Sequence, residues 1–295
     1  MNGTTVFQAM DLSLSQKLVE WRDRVNNNPQ FNKKILTSLG IGLPPEKTED
    51  TVHLTVEVWF SDGQASCVNY IFQNRALLEG ERGPDVQSMG TVISLGDISS
   101  PLFWNGIAKT FPLLLKIGYT GPISLETIAS KSGIFGRRLH IGLLPFSIYP
   151  FLEMYKGNGM EMINQIFSGV PTQLEFKSVL GIGIDISLLP FPLESCECFG
   201  RTRQELPGFN PQNLKHFWSL SVDEVRGKYY TTGGRLGVVT ARGDTIPGFP
   251  PLRDARRRVL RTISNLKIPG LIYREDIGFQ VDSFLSKLRN WGIIS

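Results

Sequence analysis

The sequence predicts an α+β fold. Hydrophobic residues recur at helical spacing near the N-terminus, switch to alternation from Thr51, and return to helical spacing at Leu252–Leu266. Strand and helix signals are mixed without the regular strand–helix alternation of a parallel sheet. No internal repeat or low-complexity tract interrupts them.

Leu14, Leu18, Trp21 and Val25 form one face of a helix over Leu12–Val25, after the capping residues Asp11 and Ser13. Asn26-Asn27-Asn28-Pro29 stops it. A second helix covers Phe31–Leu39 and ends at Gly40, and Gly40–Asp50 with Pro44-Pro45 is a connecting loop. Val52, Leu54, Val56 and Val58 then alternate with polar residues, and Asp62-Gly63 is a hairpin turn into a strand at Ser66–Phe72. Glu79–Gly90 reads as a glycine-rich loop and Thr91–Leu95 as a strand. A helix is expected over Pro101–Ile117, kinked or broken at Pro112. Gly118–Gly121 turns into a hairpin of Pro122–Ala129 and Gly136–Ile141, and Phe151–Phe167 reads as a helix weakened by Gly157 and Gly159. Further strands are expected at His216–Leu220, Lys228–Thr232 and Arg235–Thr240. The last long helix is Leu252–Leu266, with Ala255, Val259, Ile263 and Leu266 on one face.

Composition narrows the function classes. With 20% charged and 41% hydrophobic residues, the 295-residue chain is globular, enough for one large domain or two modest ones. Thirty-one basic against 27 acidic residues leave a net charge of +4, too mild to indicate nucleic acid. The longest apolar stretch, Phe176–Leu193, contains Lys177, Asp185, Pro190 and Pro192, so no run reaches the roughly 18 residues of a membrane span. Met1–Thr5 shows no basic segment leading into an apolar core, hence no signal peptide is expected. Cys67, Cys196 and Cys198 cannot all pair, and the expected setting is reduced and cytoplasmic.

Few residues suggest chemistry. His53, His140 and His216 are scattered, so no zinc constellation can be written, and Cys196-Glu197-Cys198 lacks a second ligand pair. Arg253, Arg256, Arg257, Arg258 and Arg261 crowd one helix, either as a solvated face or as a polyanion site. Two glycine-rich segments stand out: Gly80–Val92, and Thr232-Gly233-Gly234-Arg235-Leu236-Gly237-Val238-Val239-Thr240. The second sets an arginine beside backbone amides, a workable cradle for phosphate or carboxylate, with plain turn chemistry as the alternative.

Read in order, Val56-Glu57-Val58-Trp59-Phe60-Ser61-Asp62-Gly63, Gly83-Pro84 with Met89-Gly90-Thr91-Val92, Ile117–Pro122, Gly233–Thr240, Gly243-Asp244-Thr245 and Tyr273-Arg274-Glu275-Asp276-Ile277-Gly278 resemble the glycinamide ribonucleotide synthetase (phosphoribosylamine–glycine ligase) family and its phage-type ATP-grasp relatives. The resemblance covers about residues 51–295. It implies the C-terminal half of an ATP-grasp fold followed by a small α+β domain: a helical segment 1–50, a partial ATP-grasp domain 51–195 and a ligase-type C-terminal domain 196–295. It further implies an ATP-dependent carboxylate–amine ligase of purine biosynthesis, with ATP and magnesium as cofactors if active and a small-molecule substrate. Glu57, Val58 and Trp59 occupy the segment that holds adenine in the family. Gly83, Pro84, Met89, Gly90, Gly233, Gly234 and Arg235 lie in stretches facing the substrate, and Glu126 fits the first metal ligand. Two departures accompany it. Only about fifty residues precede the match, with Lys33-Lys34 the sole basic pair, which suggests a partner chain supplying the N-terminal half. Counting on from Glu126 brings Arg138 and His140 to the positions of an acidic and an amide ligand, and Ile134–Tyr149 contains no Asp, Glu, Asn or Gln. Arginine does not ligate a hard cation. A non-catalytic remnant or phosphate-binding module is therefore the alternative.

Overall fold

The computed structural model describes residues 12–45, 50–168, 174–189, 191–192, 204–244 and 250–295, with side chains from Val19 onward. Cys196, Cys198 and Thr245 lie outside the described residues, as do the side chains of Leu14 and Leu18. The helices are α1 (Leu12–Asn27), α2 (Pro29–Ser38), α3 (Pro101–Trp104), α4 (Phe111–Lys116), α5 (Ile148–Met154), α6 (Gly159–Phe167), α7 (Pro251–Leu266) and α8 (Val281–Asn290). The strands are β1 (Val52–Ser61), β2 (Gln64–Leu78), β3 (Arg82–Leu95), β4 (Gly121–Ser130), β5 (Gly133–Ile141), β6 (Leu180–Ser187), β7 (Phe217–Ser219), β8 (Val222–Val225), β9 (Lys228–Thr231) and β10 (Arg235–Arg242). Eight of them form one antiparallel sheet in the order β5-β4-β1-β2-β3-β6-β10-β7, and β8–β9 is a separate ribbon. The α+β class holds. β10 and β7 pair in the same sheet as β1–β6, so the division at 195/196 falls inside one sheet.

The Asp62-Gly63 hairpin forms as expected: both residues have positive φ, 48° and 75°, the twist that a two-residue turn between twisted strands needs. Glu79–Gly90 is not a loop. β2 and β3 run on to a tight turn at Glu79-Gly80-Glu81, and the glycines that suggested a loop serve that turn, with Gly80 at φ 68° and Gly83 at φ 81°. The expected helix over Pro101–Ile117 breaks at Asn105-Gly106, and Pro112 opens α4 instead of kinking one long helix. Phe151–Phe167 likewise divides into α5 and α6, because Asn158 starts α6 with a reciprocal capping box to Glu161. β6, β8 and α8 have no counterpart in the elements read from the sequence.

The sheet's two faces differ. Val56, Val58, Phe60, Val68, Tyr70, Val92, Ile182, Ile184 and Val239 face one way and join the core with Leu102, Ile107, Leu114 and the apolar sides of α7 and α8. Val25 and Leu36, from α1 and α2, enter the same core. Trp59, Ile71 and Ile93 face the other way, under Phe151, Met154, Met162 and Ile166 of α5 and α6. α5 sits against β6 at two glycines: a Cβ on Gly181 would lie 2.6 Å from the Pro150 carbonyl oxygen.

Candidate functional site

The second face carries the sheet's polar side chains, because cross-strand partners share a face and residues two apart recur on it. Glu57 stands opposite Asn69 and Ser124, Ser124 opposite His140, and Glu126 opposite Arg138. Toward the other end, Asp185 stands opposite Val238, with Thr240 two residues beyond. Three stations along this face contain the residues singled out by sequence.

At the centre, Glu57 is fully buried. It accepts hydrogen bonds from Trp59 Nε1 (2.9 Å), Ser147 Oγ (3.2 Å), Asn69 Nδ2 (3.3 Å) and Ser124 Oγ (3.4 Å). Burial pushes its carboxyl above the usual range, opposed by these four donors. Trp59 stacks on Phe151 of α5 at 5.3 Å, and Val58 points into the core on the opposite face. In the segment expected to hold adenine, the Glu57 carboxylate and the Trp59 indole are paired internally and covered by α5.

At the β4–β5 end, Glu126 lies on the polar face and its cross-strand neighbour is Arg138, whose guanidinium donates to the Asn26 carbonyl. The His140 imidazole is held below its usual range by burial and by the Arg138 charge, against a backbone hydrogen bond at Leu143 and the Glu126 carboxylate. Magnesium takes hard oxygen ligands in near-octahedral geometry. One carboxylate between a guanidinium and an imidazole does not fit it, and among the described residues no group of three His, Cys, Asp or Glu could hold a metal ion.

At the β3–β6–β10 end, Arg235 donates from Nε (2.8 Å) and Nη2 to Asp185 Oδ1, and from Nη1 to Gln87 Oε1 (2.9 Å). The Asp185 carboxyl is pushed up to about 6 by burial, against the Arg235 charge and a hydrogen bond from Ser88. Asp185 is the residue that sequence reading missed here. The signal was a lone acid inside an apolar run. Two residues on, the buried Ser187 Oγ has no hydrogen-bond partner among the described residues. Gly233 exchanges hydrogen bonds with Thr231 Oγ1, and the Gly234 carbonyl accepts from Leu188 N (2.7 Å), so both glycines shape the turn entering β10. Met89 is fully buried, and a Cβ on Gly90 would lie 2.6 Å from Ile277. Gly83 and Pro84 are exposed on the outer β2–β3 arm. That arm is pinned from the C-terminal motif: buried Arg274 reaches the Ala76 carbonyl (2.9 Å) and Glu81 (2.6 Å), and Asp276 accepts from Gly80 N (2.9 Å). The substrate-side stretches therefore divide into a charged cluster at Arg235 with its glycine turn, the packed pair Met89 and Gly90, and the exposed pair Gly83 and Pro84.

No family model matches the chain. Phosphoribosylamine–glycine ligase of Clostridium acetobutylicum is 22% identical over 218 residues, 70% of this chain and 48% of the relative. The trifunctional purine biosynthetic protein adenosine-3 of Bos taurus is 24% identical over 227 residues, 73% of this chain and 21% of the relative. Among solved structures, the Thermotoga maritima phosphoribosylamine–glycine ligase superposes with a TM-score of 0.55 at 17% identity, over 76% of this chain and 55% of that one. The chain is thus similar in sequence to phosphoribosylamine–glycine ligases and shares the fold of the Thermotoga enzyme. It spans about half or less of the curated relatives it matches. A single-chain, multi-domain long-chain acyl-CoA carboxylase shares the fold more remotely, with a TM-score of 0.51 at 13% identity over 90% of this chain and 28% of that one. No helix among the described residues is long and apolar enough to cross a membrane.

Proposed function

We propose that this chain is a phosphoribosylamine–glycine ligase-like module, working in the cytoplasm, that does not carry out ATP-dependent ligation by itself and uses its substrate-side scaffold to bind a small anionic molecule beside Arg235. The observation that carries this reading is the pairing of Glu126 with Arg138 where the ligase chemistry calls for a magnesium carboxylate–amide set. Without magnesium to neutralise the phosphate oxygens, transfer of a phosphoryl group to a carboxylate loses its main electrostatic support. Residues 51–195 would supply the partial ATP-grasp and 196–295 the ligase-type portion, joined through one sheet. Calorimetry with ATP, with and without magnesium, tests the reading. Magnesium should leave nucleotide binding unchanged, and a gain of about tenfold, on the order of 1.4 kcal/mol, would overturn it.

The coverage of 48% and 21% of the two curated relatives favours a second reading, a ligase completed by a partner chain that brings the remaining ATP-grasp half. Phosphate release from ATP that appears only when such a chain is co-purified would establish it.

A further inference from the structure

α7 has two faces. Leu252, Ala255, Val259, Ile263 and Leu266 enter the core, while Arg257, Arg258 and Arg261 line a cleft of about 710 Å³ between α7, the end of β10, α5 and the 210–216 segment. This is within the ~300–1,000 Å³ of small-molecule sites. Every lining side chain except that of Ala241 is polar or charged. Among the described residues the only carboxylate in the lining is Glu153, and it is already engaged: it accepts from Thr240 Oγ1 (2.9 Å) and lies 3.1 Å from His216 Nδ1.

The arginines are unevenly matched. Arg258 is held by Asp244 (2.6 Å) and Asp254 (2.8 Å). Arg242 approaches Glu153 and Asp244 only at 3.7 and 3.6 Å, and its buried Nε has no hydrogen-bond partner among the described residues. Arg261 is exposed and makes no ion pair among the described residues. The cleft therefore offers guanidinium donors in excess of its carboxylates, and one of them is buried and unsatisfied. Guanidinium forks match the oxygens of a phosphate. Asn210, Gln212, Asn213 and Asn265, also in the lining, offer amide groups that pair with hydroxyls, and among the described residues no Phe, Tyr or Trp lines the cleft to stack a base.

We propose that this cleft binds a phosphorylated sugar or polyol, with Arg242 and Arg261 on the phosphate and the amide side chains on the hydroxyls. The site is separate from the Arg235–Asp185 cluster and stands whether or not the chain takes part in ligation.

The test is a titration of the full chain with ribose 5-phosphate, alongside inorganic phosphate and free ribose, read by calorimetry and by imidazole NMR. With only three histidines in the chain, the His216 signals can be assigned by substitution and report on this cleft alone. Saturable binding that moves His216 and leaves His53 and His140 in place is the expected result. Arg261→Ala, at an exposed position, should weaken it about tenfold with an unchanged melting temperature, as loss of a charge-assisted phosphate contact requires. Arg242→Gln should abolish it; should that variant fail to fold, Arg261→Ala decides alone. Absence of saturable binding, saturable binding that leaves His216 unmoved, or equal affinity of the Arg261→Ala chain would each overturn the proposal.

Discussion

The two ends of the polar face teach different things about the same fold. At the β5-β4-β1-β2 end, the buried carboxyl of Glu57 meets only neutral donors, and the edge is sealed by α1 and α2. At the β3-β6-β10 end, carboxylates form ion pairs with arginines: Asp185 with Arg235 and Glu153 with Arg242. The first arrangement is closed and specifies packing. The second leaves partly matched charge and an open cleft. At the first end Glu57 is interior structure, while the opposite end keeps groups able to meet a ligand.

The largest effect should come from the sealed end. Glu57→Leu leaves the donors of Trp59, Asn69 and Ser124 without an acceptor in a buried space, while Ser147 Oγ keeps the Leu144 carbonyl (3.0 Å). A loss of about 4 kcal/mol is expected, since each unmet buried donor costs ~1–3 kcal/mol. Glu57→Gln keeps an acceptor oxygen and removes the burden of a buried charge, so at neutral pH it should cost far less. Urea unfolding of the two variants separates these outcomes, and equal losses would show that the pocket reorganises around any side chain.

The next effect belongs to the charged end and depends on pH. Asp185 titrates near 6 in the folded chain against an ordinary value of 3.8, so the folded state holds the proton more tightly than the unfolded state does. Its contribution is then fully present below about pH 4 and is lost as pH rises through 6, by about 3 kcal/mol at ~1.36 kcal/mol per pH unit. Comparing unfolding of the parent chain and Asp185→Asn from pH 4 to 7 should show this slope only in the parent. Because the Arg235 charge lowers the Asp185 value, Arg235→Met should move the loss to higher pH. Parallel pH profiles for the parent and Asp185→Asn would mean that Asp185 stays ionised throughout.

How much of this was legible in sequence follows from how local each feature is. The Asp62-Gly63 turn, the β4–β5 hairpin and the core face of α7 depend on neighbours a few residues apart, and all were readable. β6 was not: Leu180, Ile182, Ile184 and Ile186 alternate with two glycines, an aspartate and a serine, but the flanking apolar residues hid the alternation. Its glycines make sense only once Pro150 and Met154 of α5 are seen against them. Arg235 stood out by its glycines, but its ion-pair partner did not. The partner is Asp185, fifty residues away across the β6–β10 register, a relation no spacing rule contains. Glu57 and Trp59 are likewise defined by Asn69, Ser124 and Ser147, brought from three other elements.

The smallest expected effect concerns what closes the β5 edge. An open edge strand presents alternate backbone N–H and C=O groups that invite pairing. Here two asparagines take the place of a neighbouring strand. Asn32 donates to Leu139 O (2.6 Å) and accepts from Leu139 N (2.9 Å), and Asn26 does the same at Ile141, at 2.8 and 2.9 Å. The spacing of two along β5 selects the outward-pointing backbone groups, and the α1–α2 turn sets the two amides in line with them. Asn32 is buried, so Asn32→Ala should cost about 2 kcal/mol through the backbone groups it strands, and Asn26→Ala, where water can substitute, about 1 kcal/mol or less. Hydrogen exchange at the amides of Leu139 and Ile141 reads each bond separately. Protection should fall at Leu139 in the first variant and at Ile141 in the second, each leaving the other in place. If both amides lose protection together in either variant, the helices hold the edge as one unit through Val25 and Leu36, and the paired amides are a consequence of that packing instead of its cause.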